Sequence, residues 1–398
     1  MKNKHLVIIF LLIIFGVFLS YPISYILVKT NIITLNSTDN FQSYENIKEN
    51  NIIDKINNKT NSIKTSLENT VTNYFPFYFN FNSTYQNINY DLNKLIYKKN
   101  IPLKTNSDGE YVFYNKKDNL YFIRTKYSNK ELNKRLDKQV SFFNSLSNKG
   151  IDLYIYIPSR YELTSIDNNN LASYIDIFKS KLNNNIHVDN MKVTNINEYK
   201  ANFYLTDHHW NMSGALNGYN DITKLLNVDK LDDLEVITNN SRKYYGSLAK
   251  SSITDLNYDY ISDVKINLDY SKTIEYEKDN LEFKPRKLKL DKKDNKYYDY
   301  YVQYFNGQYG KIIYDYNNIE KDNLLIMSDS FAWQIDYLIA SSFNKTHVIN
   351  LRYDEYKNNT FNLTEYIKDN DISKVLFLYE GESILFDQYD YDFLGRVK

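Results

Sequence analysis

Asp207, His208 and His209 stand together in the stretch Leu205-Thr206-Asp207-His208-His209-Trp210-Asn211, which gathers two of the chain's five histidines directly behind a carboxylate. On an extended segment, side chains two residues apart project to the same side, so Asp207 and His209 can hydrogen-bond. A carboxylate in that position fixes the imidazole tautomer and stabilises the imidazolium, as in a hydrolytic triad. Ser330 can supply the nucleophile. It lies in Ser328-Asp329-Ser330-Phe331, where an apolar run from Asn323 to Met327 gives way to a helical pattern from Phe331 to Phe343. A serine in such a strand-to-helix turn has its hydroxyl at the sheet's edge. Its own N–H is among the unpaired donors of a helix N-terminus, which can hold the oxyanion of a tetrahedral intermediate. Ser330 as nucleophile, His209 as general base and Asp207 as its orienting partner make a full set for acyl transfer.

Asp-His-His also invites a metal reading, because DHH phosphoesterases hold Mn²⁺ with Asp and His. Adjacent histidines on an extended segment diverge, and no Asp-x-Asp companion stands upstream, so no metal and no cofactor are expected. His208, directed away from its neighbours, is expected to pack or hydrogen-bond. The two tryptophans, Trp210 and Trp333, each lie within three residues of a triad residue. They either wall the acyl or sugar pocket or steady the motif from beneath. With His208, Asp329, Tyr245 and Ser247 they form the candidate substrate-binding set.

The elements that must carry these residues are legible in the periodicity. Asn106-Ser107-Asp108-Gly109 opens a hairpin, with strands at Tyr111–Tyr114 and Leu120–Arg124. Asn129 to Leu146 is predicted helical, with Leu132, Leu136, Val140, Phe143 and Leu146 on one face and Asn148-Lys149-Gly150 at its end. A buried strand, Ile151 to Ile157, stops at Pro158, and a helix follows over Leu171–Leu182. The helix after the Asp-His motif is expected to be capped by Ser213, with Ala215, Tyr219, Ile222, Leu225 and Leu226 as its apolar stripe. Residues 240–310 read as a strand-rich insertion. Its Tyr297, Tyr298, Tyr300, Tyr301 and Tyr304 either face carbohydrate or follow ordinary strand alternation. The C-terminal region alternates strand, helix, strand, helix and strand, which argues for a parallel sheet flanked by helices.

Composition narrows the field. Hydrophobic residues make up 42% of the 398, and the 40 Tyr and 22 Phe exclude disorder over most of the length. The 49 basic and 49 acidic residues balance, so no global field recruits nucleic acid. The absence of cysteine excludes a thiolate nucleophile, disulfides and Cys-ligated zinc. Lys2 and Lys4 precede an uncharged run from Leu6 to Val28, about the ~20 residues a membrane-spanning helix needs. The run is long for a cleavable signal and ends at a mediocre cleavage site, so an uncleaved signal anchor is expected, with the N-terminus inside and the bulk extracytoplasmic. The expected organisation is an anchor at 1–29, a tether and juxtamembrane helical region at 30–105 with a periodic stretch from Ile47 to Val71, and a catalytic domain at 106–398.

Asp-Ser-Phe after an apolar strand resembles the nucleophile block of the SGNH hydrolases, and Thr206-Asp207-His208-His209-Trp210 resembles the signature of the DHHW family, relatives of the alginate O-acetyltransferases. Weaker likenesses lie at Phe75-Pro76-Phe77, Ser107-Asp108-Gly109 and Tyr244-Tyr245-Gly246-Ser247-Leu248. Tyr78 stands where the family pattern has Arg, and Ser328 where the SGNH pattern has Gly. In ordinary SGNH hydrolases the Ser block comes first; here it follows Asp/His, the permuted order of the alginate relatives. The resemblance implies a three-layer α/β/α domain with a mostly parallel sheet. It also implies O-acetyl transfer to a cell-surface or secreted polysaccharide, with a multispanning membrane O-acyltransferase as the partner that delivers the acyl group. A carbohydrate esterase with the same triad, or a non-catalytic glycan-binding scaffold, is the alternative.

Overall fold

The computed structural model describes residues 78–105, 111–123, 127–158, 172–266, 273–276, 279–282, 290, 296–305, 310–352, 360–387, 393 and 397. Among them no helix is long and apolar enough to cross a membrane. The expected anchor at 6–28, the periodic stretch at 47–71, and the Phe75-Pro76-Phe77 and Ser107-Asp108-Gly109 motifs lie outside the described residues.

Chain contacts divide the protein into two units. One comprises Met1–Ile96, Ile253–Asp255 and Asp291–Tyr298, and its principal described element is helix α1 (Tyr78–Ile96). The other comprises Tyr97–Ser252, Leu256–Leu290 and Asp299–Lys398 and holds every residue proposed above for chemistry. It begins with an antiparallel sheet of β1 (Asn100–Thr105), β2 (Tyr111–Asn115) and β3 (Leu120–Ile123). The β1–β2 pairing thus runs across the expected boundary at 105/106.

The second unit is built on an eight-stranded sheet. Four of its strands, β4 (Leu153–Ile157), β11 (Asn323–Ser328), β12 (Lys345–Ile349) and β13 (Ile372–Leu378), run parallel in the order β4-β13-β11-β12, with β5 (Ile186–Asn190) parallel on the outer side of β4. Beyond β12 the sheet continues antiparallel through β10 (Lys311–Asp315), β8 (Thr273–Tyr276) and β9 (Asp279–Glu282). Central parallel strands are covered on both faces, and their sequences are accordingly continuous apolar runs. In β11, Leu324 and Ile326 enter one core while Leu325 and Met327 enter the other. Tyr154 and Tyr156 of β4 likewise oppose Leu153, Ile155 and Ile157.

Helices make the outer layers. On one face lie α2 (Asn129–Ser147), α3 (Ala172–Lys181), α8 (Leu363–Asp369) and α9 (Gly381–Phe386); α2 buries Leu132, Leu136, Val140, Phe143 and Leu146, the stripe its periodicity predicts. On the other lie α5 (Met212–Leu226) and α7 (Asp336–Ala340). The arrangement is a three-layer α/β/α fold with a mostly parallel sheet. Between β5 and α5 runs a short helix, α4 (Ile196–Asn202). The region 240–310 contains helix α6 (Ser247–Ser252), the second strand of a small pair, β6 (Glu235–Thr238) with β7 (Ser262–Lys265), the β8–β9 hairpin and a 3₁₀ turn at Tyr301–Phe305.

Two local expectations change. The helix after the Asp-His motif starts at Met212, and its cap is Asn211, whose Oδ1 accepts from the Gly214 N–H at 3.0 Å. Ser213 lies inside the first turn. The single helix expected over 331–343 is two pieces, a 3₁₀ turn at Ser330–Gln334 and α7, joined at Ile335. The Ser330 carbonyl at the start of this turn accepts the Tyr301 hydroxyl at 3.1 Å.

Candidate active site

The Asp-His motif is a closed loop rather than an extended segment. Phe203 and Trp210 form an antiparallel bridge, and the Tyr204 N–H donates to the His209 carbonyl at 3.2 Å. The bend between them places Asp207 under His209, and the carboxylate accepts the His209 N–H at 3.0 Å. The same Oδ1 meets the ring Nδ1 at 2.6 Å. The loop is held from three directions. The Leu205 carbonyl accepts the Tyr121 N–H of β3 at 2.8 Å, and the Thr206 carbonyl accepts the Leu248 and Ala249 N–H groups of α6 at 3.1 Å each. From a third side, the Asp259 carboxylate takes the Leu205 N–H at 3.0 Å, the Thr206 N–H at 2.8 Å and the Thr206 hydroxyl at 2.6 Å.

Ser330 reaches this loop from the carboxyl end of β11, where open α/β sheets carry their ligands. Its Oγ lies 2.7 Å from His209 Nε2, and its residue is only half-buried. Asp207, His209 and Ser330, proposed from residue type, spacing and the strand-to-helix turn, are thus brought into one hydrogen-bonded relay. Asp329 sets the turn. Its Oδ1 caps the Phe331 N–H at 2.9 Å, and its Oδ2 accepts the Glu380 N–H at 2.8 Å from the loop after β13. Both carboxylate oxygens serve the backbone, so Asp329 braces the turn that carries Ser330. The Phe331 N–H and Ala332 N–H are both engaged by Asp329, through its Oδ1 and its carbonyl.

The electrostatics suit the relay. Burial pushes the Asp207 carboxyl upward, but the charge and hydrogen bond of His209, with His208 and the Tyr244 hydroxyl behind them, outweigh it and hold the group well below the usual range. Asp207 Oδ2 accepts from the Tyr244 hydroxyl and from the Ser247 N–H, each at 2.6 Å. Burial, then the Asp207 charge, drives the Tyr244 phenol well above its ordinary value, so it stays a donor. Gly246 between them has no alternative: a Cβ there would sit 2.3 Å from Asp207 Cβ and 2.6 Å from Oδ2.

Other members of the candidate set fall differently. His208 does not diverge from His209; the two ring centroids are 3.8 Å apart, and His208 Nδ1 lies 2.6 Å from Ser247 Oγ. Asp207, His208 and His209 consequently bring one donor atom each within 4.8 Å, a spacing a metal ion could use, yet hydrogen bonds of the relay already engage the Asp207 and His209 atoms. Ser247 is a bridge from Asp207 to His208. Trp210 is fully enclosed, its ring 5.5 Å from Phe331 and pressed against Gly218, where a Cβ would approach Trp210 Cζ3 to 2.5 Å. Trp333 is 4% exposed. Both tryptophans are buried beside the motif. Tyr245 is half-buried, its ring 6.4 Å from that of Tyr258.

Two residues important to the geometry were missed in the sequence. Tyr301 stacks on His209, with centroids 3.7 Å apart and planes at 11°, and Asp259 grips the loop from behind. Neither lies near the motif in sequence, and a tyrosine among forty carries no signal of its own. Tyr297, Tyr300, Tyr301 and Tyr304 are all buried, so they form no carbohydrate-facing surface; Tyr298 is 38% exposed.

No family model matches the chain, and no curated protein matches it. Solved structures do. Bacillus cereus PatB1 with a sulfonyl adduct superposes with a TM-score of 0.55 at 19% identity, over 72% of this chain and 98% of that one. A DHHW family protein from Eubacterium siraeum DSM 15702 does so at 0.54 and 17%, over 74% and 98%. A second PatB1 structure gives 0.51 and 19%, over 74% and 100%. At these identities the likeness is one of fold, and it matches the fold that the Asp-His-His-Trp and Asp-Ser-Phe blocks imply.

Proposed function

We propose that the chain is a serine-dependent O-acyltransferase that acylates a cell-surface or secreted polysaccharide, acetyl being the group its motifs imply. The observation that carries this reading is the continuous relay from Ser330 Oγ through His209 to Asp207, at 2.7 and 2.6 Å, on a shared DHHW-type fold. Ser330 Oγ attacks the carbonyl carbon of the acyl donor while its proton passes to His209 Nε2. Asp207 stabilises the resulting imidazolium. The Ser330 N–H supports the oxyanion, and the leaving group departs with the proton. A sugar hydroxyl then attacks the acyl-serine, giving its proton to His209, which returns it to Ser330 Oγ. The N-terminal apolar run supports an anchored, extracytoplasmic enzyme, and the resemblance to the alginate acetyltransferases implies a multispanning membrane acyltransferase that supplies its acyl groups.

The test is hydrolysis of a chromogenic acetate with and without an added glycan. Ser330→Ala and His209→Ala should each lose about 10³-fold or more in kcat. A sulfonyl fluoride, the reagent class suggested by the PatB1 adduct, should label the parent and not Ser330→Ala. Unchanged hydrolysis in both variants would remove the triad reading, and acetyl delivered to water with no glycan product would make the protein an esterase.

A further inference from the structure

Helix α1 turns its apolar side outward. Tyr85, Ile88, Leu92 and Leu95 recur at alternating spacings of three and four, with Ile96 beside the last, so the five share one face. All of them are between 55% and 82% exposed. Gln86, on another side of the helix, is buried, and Asn87, Tyr90 and Asn93 are half-buried. A helix that rests only on its own protein does the reverse, burying its apolar stripe and leaving its amides to water. Single exposed apolar residues are ordinary, but a continuous stripe over about three turns marks an interaction surface.

We propose that this stripe seats on the surface of an anionic lipid bilayer, with α1 lying in the plane of the headgroups; the proposal rests on the reading of residues 6–28 as an anchor. That run ends roughly 50 residues before the helix, and a flexible tether of this length reaches roughly 40 Å, so the anchor holds α1 beside the bilayer at high effective concentration. The charge is complementary. Lys94 is exposed in the last turn, Lys98 and Lys99 follow in the sequence, and Asp91 is the one carboxylate of the helix. Lysines beside an apolar stripe match anionic headgroups above acyl chains, and a tyrosine such as Tyr85 suits the interface between them. The helix is not apolar enough to cross, so it lies on the membrane. A second copy of the chain is the poorer fit, because 19 residues hold fewer than the three or four heptads that sustain a coiled coil.

The chain has no cysteine, so a single one can be introduced and labelled without background. The experiment uses the full chain with a fluorophore at Ile88→Cys, Leu92→Cys or Leu95→Cys, and at Asn87→Cys as the control off the stripe. Each is reconstituted into phosphatidylcholine vesicles, with or without phosphatidylglycerol, that carry a spin-labelled lipid as quencher. With phosphatidylglycerol, quenching on the stripe should exceed the control about threefold or more, and the excess should fall in phosphatidylcholine alone or at about 1 M salt. Adding Leu92→Glu to the Leu95→Cys chain should abolish the excess and leave thermal melting and hydrolysis of a chromogenic acetate as in the parent. Stripe quenching equal to the control, or indifferent to lipid charge, overturns the proposal. So does excimer emission between pyrene-labelled Leu92→Cys chains without lipid quenching, which would make a second copy the occupant. Flotation separates the two ideas: a chain that does not float with neutral vesicles rejects the anchor, whereas one that floats without stripe quenching rejects the helix contact.

Discussion

The Tyr301 ring lies flat on the His209 imidazole, 3.7 Å between centroids, while its hydroxyl reaches the Ser330 carbonyl at 3.1 Å. One side chain therefore fixes the plane of the base and the position of the nucleophile's own backbone. Burial drives the phenol well above its ordinary value, so it acts as packing and as a donor, never as an anion. Tyr301→Phe keeps the stack and loses the hydrogen bond, and should cost kcat about tenfold. Tyr301→Leu loses both and should cost about 10²-fold, with KM for a small acetate little changed, because a misplaced base harms the transition state more than the ground state. Steady-state kinetics of the two variants checks the order; a larger loss in Phe than in Leu would refute it.

The second carboxylate oxygen of Asp207 is where Tyr244 and Ser247 converge. Tyr244→Phe removes one charge-assisted hydrogen bond, of about 1.5–3 kcal/mol, and should lower kcat by roughly 10–100-fold. Asp207→Asn should cost far more, about 10³–10⁴-fold, because the amide favours the wrong His209 tautomer. Equal losses in the two variants would refute the tautomer-fixing role of Asp207.

Asp259 gives the protein two opposed responses to acid. Burial raises its carboxyl to about 6, against the lowering effect of the Thr206 and Leu205 donors. The folded chain thus holds this proton more tightly than the unfolded chain, whose aspartates titrate near ~3.9. Its contribution to stability is full below about pH 4 and is lost as pH rises through 6. The grip on the Asp-His loop runs the other way, since the ionised carboxylate is the stronger acceptor for the Leu205 and Thr206 donors. Between pH 5 and 7, activity should rise while this increment of thermal stability falls. Asp259→Asn should flatten the stability change and reduce the steepness of the acid limb of kcat/KM by one proton; an acid limb of unaltered steepness would exclude the carboxylate.

Gly246→Ala tests the packing behind Asp207 without replacing a proposed catalytic residue. A methyl 2.3 Å from Asp207 Cβ must displace either the loop or α6, at a cost of about 1–3 kcal/mol. The expected result is a folded protein of lower Tm with hydrolysis reduced at least tenfold. Full activity with normal melting would show that the loop yields freely.

The chemistry was more legible than its supports. Asp207, His209 and Ser330 announce themselves because few residue types can act as nucleophile, base and orienter, and because β11 is an apolar strand ending two residues before Ser330. The α/β/α layers follow from apolar runs alternating with helical stripes, as in α2. The supports depend on contacts that no local pattern encodes. Asn211 and Ser213 are both good caps, and the choice of Asn211 is set by the Phe203–Trp210 bridge, a tertiary feature. The break at Ile335 lies within a segment whose start is anchored by Tyr301, from a distant part of the chain. His208 and His209 were expected to diverge because the segment was read as extended; the bend of a closed loop turns both rings toward Asp207.

Tyr244 and Asp259, which both hold the Asp-His loop, are themselves paired in an antiparallel bridge by N–H···O bonds of 2.8 and 2.9 Å, and that bridge works as a partition. Its inner residues are constrained by the catalytic loop, whereas Lys243, Tyr258 and Tyr260 on the far side have no part in that geometry. Such a wall lets selection alter one side while the other stays fixed. Substitutions at a few outward positions could accumulate there and leave the Asp207–His209–Ser330 relay undisturbed.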